Sequence, residues 1–172
     1  STSTSSSKNT KQQSKEISFN TVMTSKNIVS VSGRNYMRLE QIGRGGSSKV
    51  YKVLGNDMKI YALKRIRPQR MNRKTLSIFQ NEINLMVALK GKPNIIQLID
   101  AEINMEKKCI YMVMEMGDID LNHLLKKRKE EASNESVASN ENFLRITWQQ
   151  MLEAVHTIHQ NRTVHSDLKP AN

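Results

Sequence analysis

The sequence predicts an α+β chain, and three observations carry that prediction. Three short segments, Tyr36–Ile42, Lys49–Leu54 and Lys59–Ile66, each hold Val, Ile, Leu or Tyr with polar residues between them. A stretch of helical period, Thr75–Lys90, follows them, and two more strand-like segments follow that. A second helical stretch, Glu141–Gln160, stands near the end of the chain.

Ser1–Lys15 contain only Ser, Thr, Lys, Asn and Gln. They offer no apolar surface to offset the entropy of ordering, so disorder is expected. Glu16–Gly33 hold Ile17, Phe19, Val22, Ile28 and Val29 without a clean period, so residues 1–34 read as a linker and folding is expected to begin near Asn35. Gly43–Ser48 and Gly55-Asn56-Asp57 are turn material, which makes the first three strands an antiparallel meander. In Thr75–Lys90, Leu76, Phe79, Ile83, Met86 and Leu89 recur on one face; Gly91 stops the helix and Pro93 follows. Ile95–Ile103 and Lys108–Met114 read as strands, and Leu121–Lys127 as a short helix. Arg128–Asn140 is polar and is expected to be a flexible insertion. Leu144, Thr147, Met151, Val155 and Ile158 form one stripe of the last helix.

Composition narrows the function classes. A length of 172 residues suffices for one domain with a core. Hydrophobic residues at 37% against 25% charged read as a soluble globular chain. No apolar run reaches membrane-spanning length, and the polar start carries no secretory pattern. The sequons at Asn134 and Asn161 therefore read as chance. The one cysteine, Cys109, sits in an apolar run and reads as a buried thiol in a reducing compartment. A net charge of +11 raises the question of nucleic acid. The charge is spread, with denser stretches only at Arg65–Lys74 and Lys126–Lys129, and aromatics are 5%, so base stacking has little to work with. That argues for a solvated basic surface rather than a nucleic-acid partner. K-K-R-K at Lys126–Lys129 also fits a nuclear-localisation patch, and Ser1–Thr10 offers hydroxyls for phosphorylation.

Four stretches carry chemistry. Ile42-Gly43-Arg44-Gly45-Gly46-Ser47-Ser48-Lys49-Val50 is a glycine-rich turn between strands, where backbone N–H groups can approach an anion; a plain hairpin is the alternative. Lys64 shares a strand face with the small Ala62, as for a flat ligand with a charged end; an edge lysine in water is the alternative. Glu82 lies beside the apolar stripe of its helix and wants a cation, for which Lys64 is the candidate; a solvated glutamate is the alternative. His165-Ser166-Asp167-Leu168-Lys169-Pro170-Ala171-Asn172 packs a carboxylate, a lysine and an amide into six residues after a helix. That set suits proton acceptance, phosphate contact and metal ligation in phosphoryl transfer.

Glycine loop, strand lysine, helix glutamate and catalytic loop, in that order, resemble a protein kinase. The stretches I-G-R-G-G-S-S-K-V-Y, I-Y-M-V-M-E-M-G-D-I-D-L-N, M-L-E-A-V-H-T-I-H-Q and V-H-S-D-L-K-P-A-N resemble the monopolar-spindle (TTK-type) dual-specificity kinases, over about Ile28 to Asn172. The resemblance implies a five-stranded antiparallel N-lobe sheet with one helix (35–117) and a helical C-lobe, incomplete here (118–172). It implies ATP and Mg2+ as cofactors, and phosphorylation of protein Ser, Thr and also Tyr. It implies protein substrates, kinetochore partners, and a nuclear or cytoplasmic place at kinetochore or spindle, with no membrane.

The resemblance also implies residue roles. Gly43, Gly45 and Gly46 would cover the ATP phosphates, with Arg44, Ser47, Ser48 and Lys49 of the same stretch also binding ATP; Ile42, Val50 and Ala62 would enclose adenine. Lys64 would contact the α- and β-phosphates and be held by Glu82. Met114 would be the gatekeeper, with Glu115 and Gly117 offering hinge backbone to adenine. Asp167 would be the catalytic base, Lys169 would steady the transferred phosphate, and Asn172 would bind magnesium. Ser48 and Ser166 depart from the common kinase pattern, which has glycine and arginine there; Ser166 leaves the usual partner of a phosphorylated activation loop absent. The sequence also stops before any D-F-G or activation loop, so it reads as a fragment of a longer kinase, itself expected to be inactive. A nucleotide- or partner-binding module without catalysis is the alternative.

Overall fold

The computed structural model describes residues 27–131 and 137–170. The disorder expected for Ser1–Lys15 lies outside them. Six strands, all antiparallel, form one sheet: β1 (Ile28–Val31), β2 (Arg34–Arg44), β3 (Ser48–Gly55), β4 (Ile60–Ile66), β5 (Leu98–Asn104) and β6 (Cys109–Glu115), in the order β1-β2-β3-β4-β6-β5. Among the described residues the helices are α1 (Arg73–Ala88), α2 (Leu121–Glu131) and α3 (Val137–Gln160).

β1 corrects the expected five strands and the expected start near Asn35. Four residues are too few to show a period, but Ser32-Gly33 is a hairpin signal. Both residues take positive φ, 49° and 78°, as a two-residue hairpin turn requires. β2 carries two register irregularities, between Arg38 and Glu40 and between Gln41 and Gly43. Bulges of this kind increase twist. The sheet curls until its first hairpin meets its far edge: the Ser32 N–H donates to Glu102 Oε2 at 2.7 Å and its hydroxyl to the Ala101 carbonyl at 2.8 Å. Arg34 lies 3.5 Å from Asp100, whose carboxylate also accepts the Tyr36 O–H.

The curl encloses one core of Val31, Tyr36, Tyr51, Val53, Leu63, Cys109, Tyr111 and Val113. The opposite face buries Ile66, Leu98, Ile110 and Met112 against Phe79, Ile83 and Met86 of α1. β6 is therefore covered on both faces, which is why Cys109–Val113 is continuously apolar and Cys109 is buried. α1 begins where the Asn72 side chain accepts the Thr75 N–H at 2.8 Å. Past its end, Gly91 takes φ +77°.

The expected flexible insertion is corrected at both flanks. α2 runs on through Glu131 and α3 starts at Val137, leaving only 132–136 outside the described residues. Lys, Arg and Glu are good helix formers, so this polar stretch extends a helix without an apolar stripe. On α3, Val155 and Ile158 are half-buried, whereas Leu144, Ile146, Trp148, Met151 and Leu152 are exposed. Asn94, between α1 and β5, donates to Glu153 of α3 at 2.8 Å and ties the helical part to the sheet part.

Candidate active site

The glycine-rich turn joins β2 to β3. Gly43 pairs with Val50 and Arg44 with Lys49, and the Gly45 N–H closes the tip on the Ser48 carbonyl at 2.8 Å. The tip is tight where side chains would crowd it. A Cβ on Gly45 would sit 2.9 Å from Ser48 Oγ, and one on Gly43 would sit 3.3 Å from Val50 Cβ. Gly46 and Gly117 face open space, so sterics do not demand glycine there. Ile42 is exposed beside the turn. Ser47 lies within the tip, and its carbonyl accepts the Arg67 N–H at 2.8 Å.

Strand register gathers the next residues. Ala62 pairs with Met114, and Lys64 pairs with Val50 on one side and Met112 on the other. Alternation puts Ala62 and Lys64 on one face with these partners. It is the face that α1 covers, so Lys64 meets Glu82: Nζ to Oε1 is 3.8 Å, with the side chains 33% and 40% exposed. The pair that sequence reasoning left open is present. A half-solvated pair contributes at most about 1 kcal/mol to stability. What the pair does is hold the ammonium at one end of an apolar floor.

Glu115 ends β6. Its N–H donates to the Gln97 carbonyl at 3.0 Å, and its carboxylate accepts the Gln97 N–H at 2.8 Å. Gln97 escapes sequence reasoning because nothing local marks a glutamine as an anchor. It also accepts the Gly91 N–H through its side chain at 2.6 Å.

The second group follows α3. Lys169 Nζ is 2.7 Å from Asp167 Oδ2, and the Asp167 N–H donates to the His165 carbonyl at 2.9 Å. Ser166 between them takes φ 61°, a left-handed conformation unusual for serine. Backbone strain of this kind gathers at functional loops. The Pro170 carbonyl accepts the Asn122 N–H at 2.9 Å, so the loop satisfies an otherwise orphaned donor at the start of α2. Asp120 caps the same end, accepting the His123 N–H at 2.9 Å, and this bond chiefly holds its carboxyl below the usual range. The signal for Asp120 was legible: a capping residue directly before Leu121. Asn172, the expected metal ligand, lies outside the described residues.

Residues 36–172 match the family model described as "Protein kinase domain". Three relatives show how the similarity is distributed. The chain is 48% identical over 158 residues to the probable serine/threonine-protein kinase mps1 of Dictyostelium discoideum, covering 92% of this chain and 15% of that protein. It is 46% identical over 145 residues to the dual specificity protein kinase TTK of Mus musculus, covering 84% and 16%. It is 39% identical over 147 residues to the serine/threonine-protein kinase MPS1 of Saccharomyces cerevisiae, covering 86% and 18%. The chain thus spans under a fifth of each of these relatives, and the family model's match over residues 36–172 takes in the glycine hairpin, the Lys64–Glu82 pair and the Asp167 loop. The chain belongs to the protein kinase family, and within it is similar to the Mps1 and TTK kinases.

Proposed function

We propose that this chain is the nucleotide-binding lobe and catalytic loop of an ATP-dependent kinase of protein serine and threonine, and of tyrosine as in its dual-specificity relatives, acting in spindle-checkpoint control at kinetochore or spindle. The kinase family implies ATP and a divalent metal; we assign Mg2+. The observation that carries the reading is the Lys64–Glu82 pair, 3.8 Å apart on the sheet face beside the glycine hairpin.

The residues present fit a nucleotide. The hairpin is tight at Gly43 and Gly45, where a Cβ would crowd its own tip, so the backbone can lie close against phosphates. Ile42, Val50, Ala62 and Met114 offer apolar surface for adenine, with hinge backbone at Glu115 and Gly117. Arg44, Gly46, Ser47, Ser48 and Lys49 complete the hairpin, whose backbone covers the phosphates. Lys64 holds the α- and β-phosphates, and Glu82 keeps its ammonium aimed. ATP with its divalent metal, when bound, supplies the γ-phosphoryl group; Asn172 is assigned as a metal ligand. Asp167 orients the substrate hydroxyl and takes its proton, and Lys169 neutralises charge on the phosphoryl being transferred.

The test is Asp167→Asn in the whole protein that carries this chain. Turnover should fall by on the order of 10²–10⁴-fold, with ATP affinity little changed. Unchanged turnover would sink the assignment.

A further inference from the structure

We propose a second anion site, on the sheet face opposite Lys64, that docks a phosphorylated serine or threonine of this chain's own N-terminal segment. A cavity of about 210 Å³ lies beside the glycine hairpin, lined by Arg44, Gly45, Gly46, Ser47, Ser48, Lys49, Arg65 and Arg67. Four of these eight are cations, and no carboxylate lines it. No carboxylate among the described residues pairs with Arg44, Lys49, Arg65 or Arg67.

The site shares the glycine hairpin with the proposed nucleotide site but lies on the other face of the sheet. Lys49 pairs directly with Arg65, one step along from the Val50–Lys64 pair. Alternation sends Lys49 and Arg65 to the other face of the sheet. There the Arg65 guanidinium lies 5.4 Å from the Tyr51 ring centroid and donates to its hydroxyl at 3.0 Å, so it is held in place before any ligand arrives. The Arg67 N–H bonds the Ser47 carbonyl at 2.8 Å, which keeps this end of β4 against the hairpin tip. A preset Arg65 guanidinium, with Arg67 anchored by its backbone beside exposed glycines, suits a phosphomonoester, whose oxygens accept bidentate charge-assisted bonds.

Chain direction and length select the occupant. β1 runs antiparallel to β2, so the chain enters β1 from the side on which β2 ends in the hairpin. Ile28 pairs with Met37, seven residues short of Arg44, which is about 23 Å of strand. A chain covers at most about 3.3–3.6 Å per residue. Thr24 and Ser25 stand too close to Ile28 to span that gap. Thr21, Ser18 and Ser14 reach it, with the short tether giving a high effective concentration. The proposal does not depend on which enzyme places the phosphate, nor on phosphotransfer by this chain.

Fluorescence anisotropy tests it, with the full chain and peptides copying residues 11–23. The peptides carry one phosphate at Ser14, Ser18 or Thr21, or none. At least one phosphopeptide should bind tenfold or more tightly than the bare peptide. Arg65→Gln/Arg67→Gln should weaken it tenfold or more. Arg67→Gln alone, which spares the Tyr51 contact, should weaken it at least threefold. Lys64→Met should leave it unchanged, which separates this site from the nucleotide reading. Equal binding of bare and phosphorylated peptides, or binding indifferent to the Arg67 variant, overturns the proposal. So does inorganic phosphate binding without any phosphopeptide binding. Duplex DNA displacing the phosphopeptide at equal concentration would reassign the surface to nucleic acid.

Discussion

Val31→Ala tests whether the first hairpin belongs to the fold. Val31 is 0% exposed and sits among Tyr36, Tyr51, Val53, Leu63, Cys109, Tyr111 and Val113. Truncation removes two methyl groups from that core. At about 0.8 kcal/mol each for transfer, plus a cavity term, the loss is about 1.5–3 kcal/mol. For a chain of this size that lowers Tm by roughly 4–10 °C. Ile28→Ala, at the other end of the same strand, is the control: Ile28 is 42% exposed, so its truncation should cost under about 1 kcal/mol. The assay is urea unfolding followed by far-UV circular dichroism. Tryptophan fluorescence is the wrong probe, because Trp148 is exposed on α3 and is not part of the core that holds Val31. If Val31→Ala costs no more than Ile28→Ala, β1 is not docked, and the fold boundary returns to Asn35.

Three further outcomes are expected. Lys64→Met should raise the Kd for ATP by roughly 10–100-fold, the worth of charge-assisted phosphate bonds, measured by calorimetry. Glu82→Gln should raise it less while moving stability by no more than about 1 kcal/mol, since the pair is half-solvated; wild-type ATP affinity in Lys64→Met would remove Lys64 from the site. Tyr36 predicts an alkaline limb. Burial, then its bond to the Asp100 carboxylate, push its pKa from 10.0 up to about 12. Between those values the folded chain keeps a proton that the unfolded chain releases. Its stabilising share is therefore whole below pH 10 and shrinks as pH rises towards about 12. Tyr111, also pushed up to about 12 chiefly by burial, contributes in the same window. Tyr36→Phe should flatten the fall in urea midpoint with pH without removing it; an identical fall in both proteins would contradict the assignment.

Much of this was legible in local residue order. Glycine spacing marked the β2–β3 turn, alternation placed Ala62 and Lys64 on one face, and the period of Leu76, Phe79, Ile83 and Met86 marked α1 and the side it buries. These signals are local because pleat and helical repeat act over a few residues. Ile28–Val31 was not legible: it is too short to show a period, and the hairpin it forms with β2 is docked through Ser32 on Glu102 and Ala101, about seventy residues away. Gln97 and Asp100 were missed for the same reason. Each matters through a partner distant in sequence, Glu115 for one and Tyr36 with Arg34 for the other.

The sequence by itself determined the fold class, the order of β2 to β6 with α1 among them, and the family, because each rests on periods and motifs contained in short stretches. Tertiary structure alone decided that Lys64 meets Glu82, that the sheet curls until Ser32 bonds Glu102, and that Lys49, Arg65 and Arg67 gather around one cavity while Lys64 points away from it. Those outcomes depend on register and twist, which bring together residues that the chain itself keeps apart.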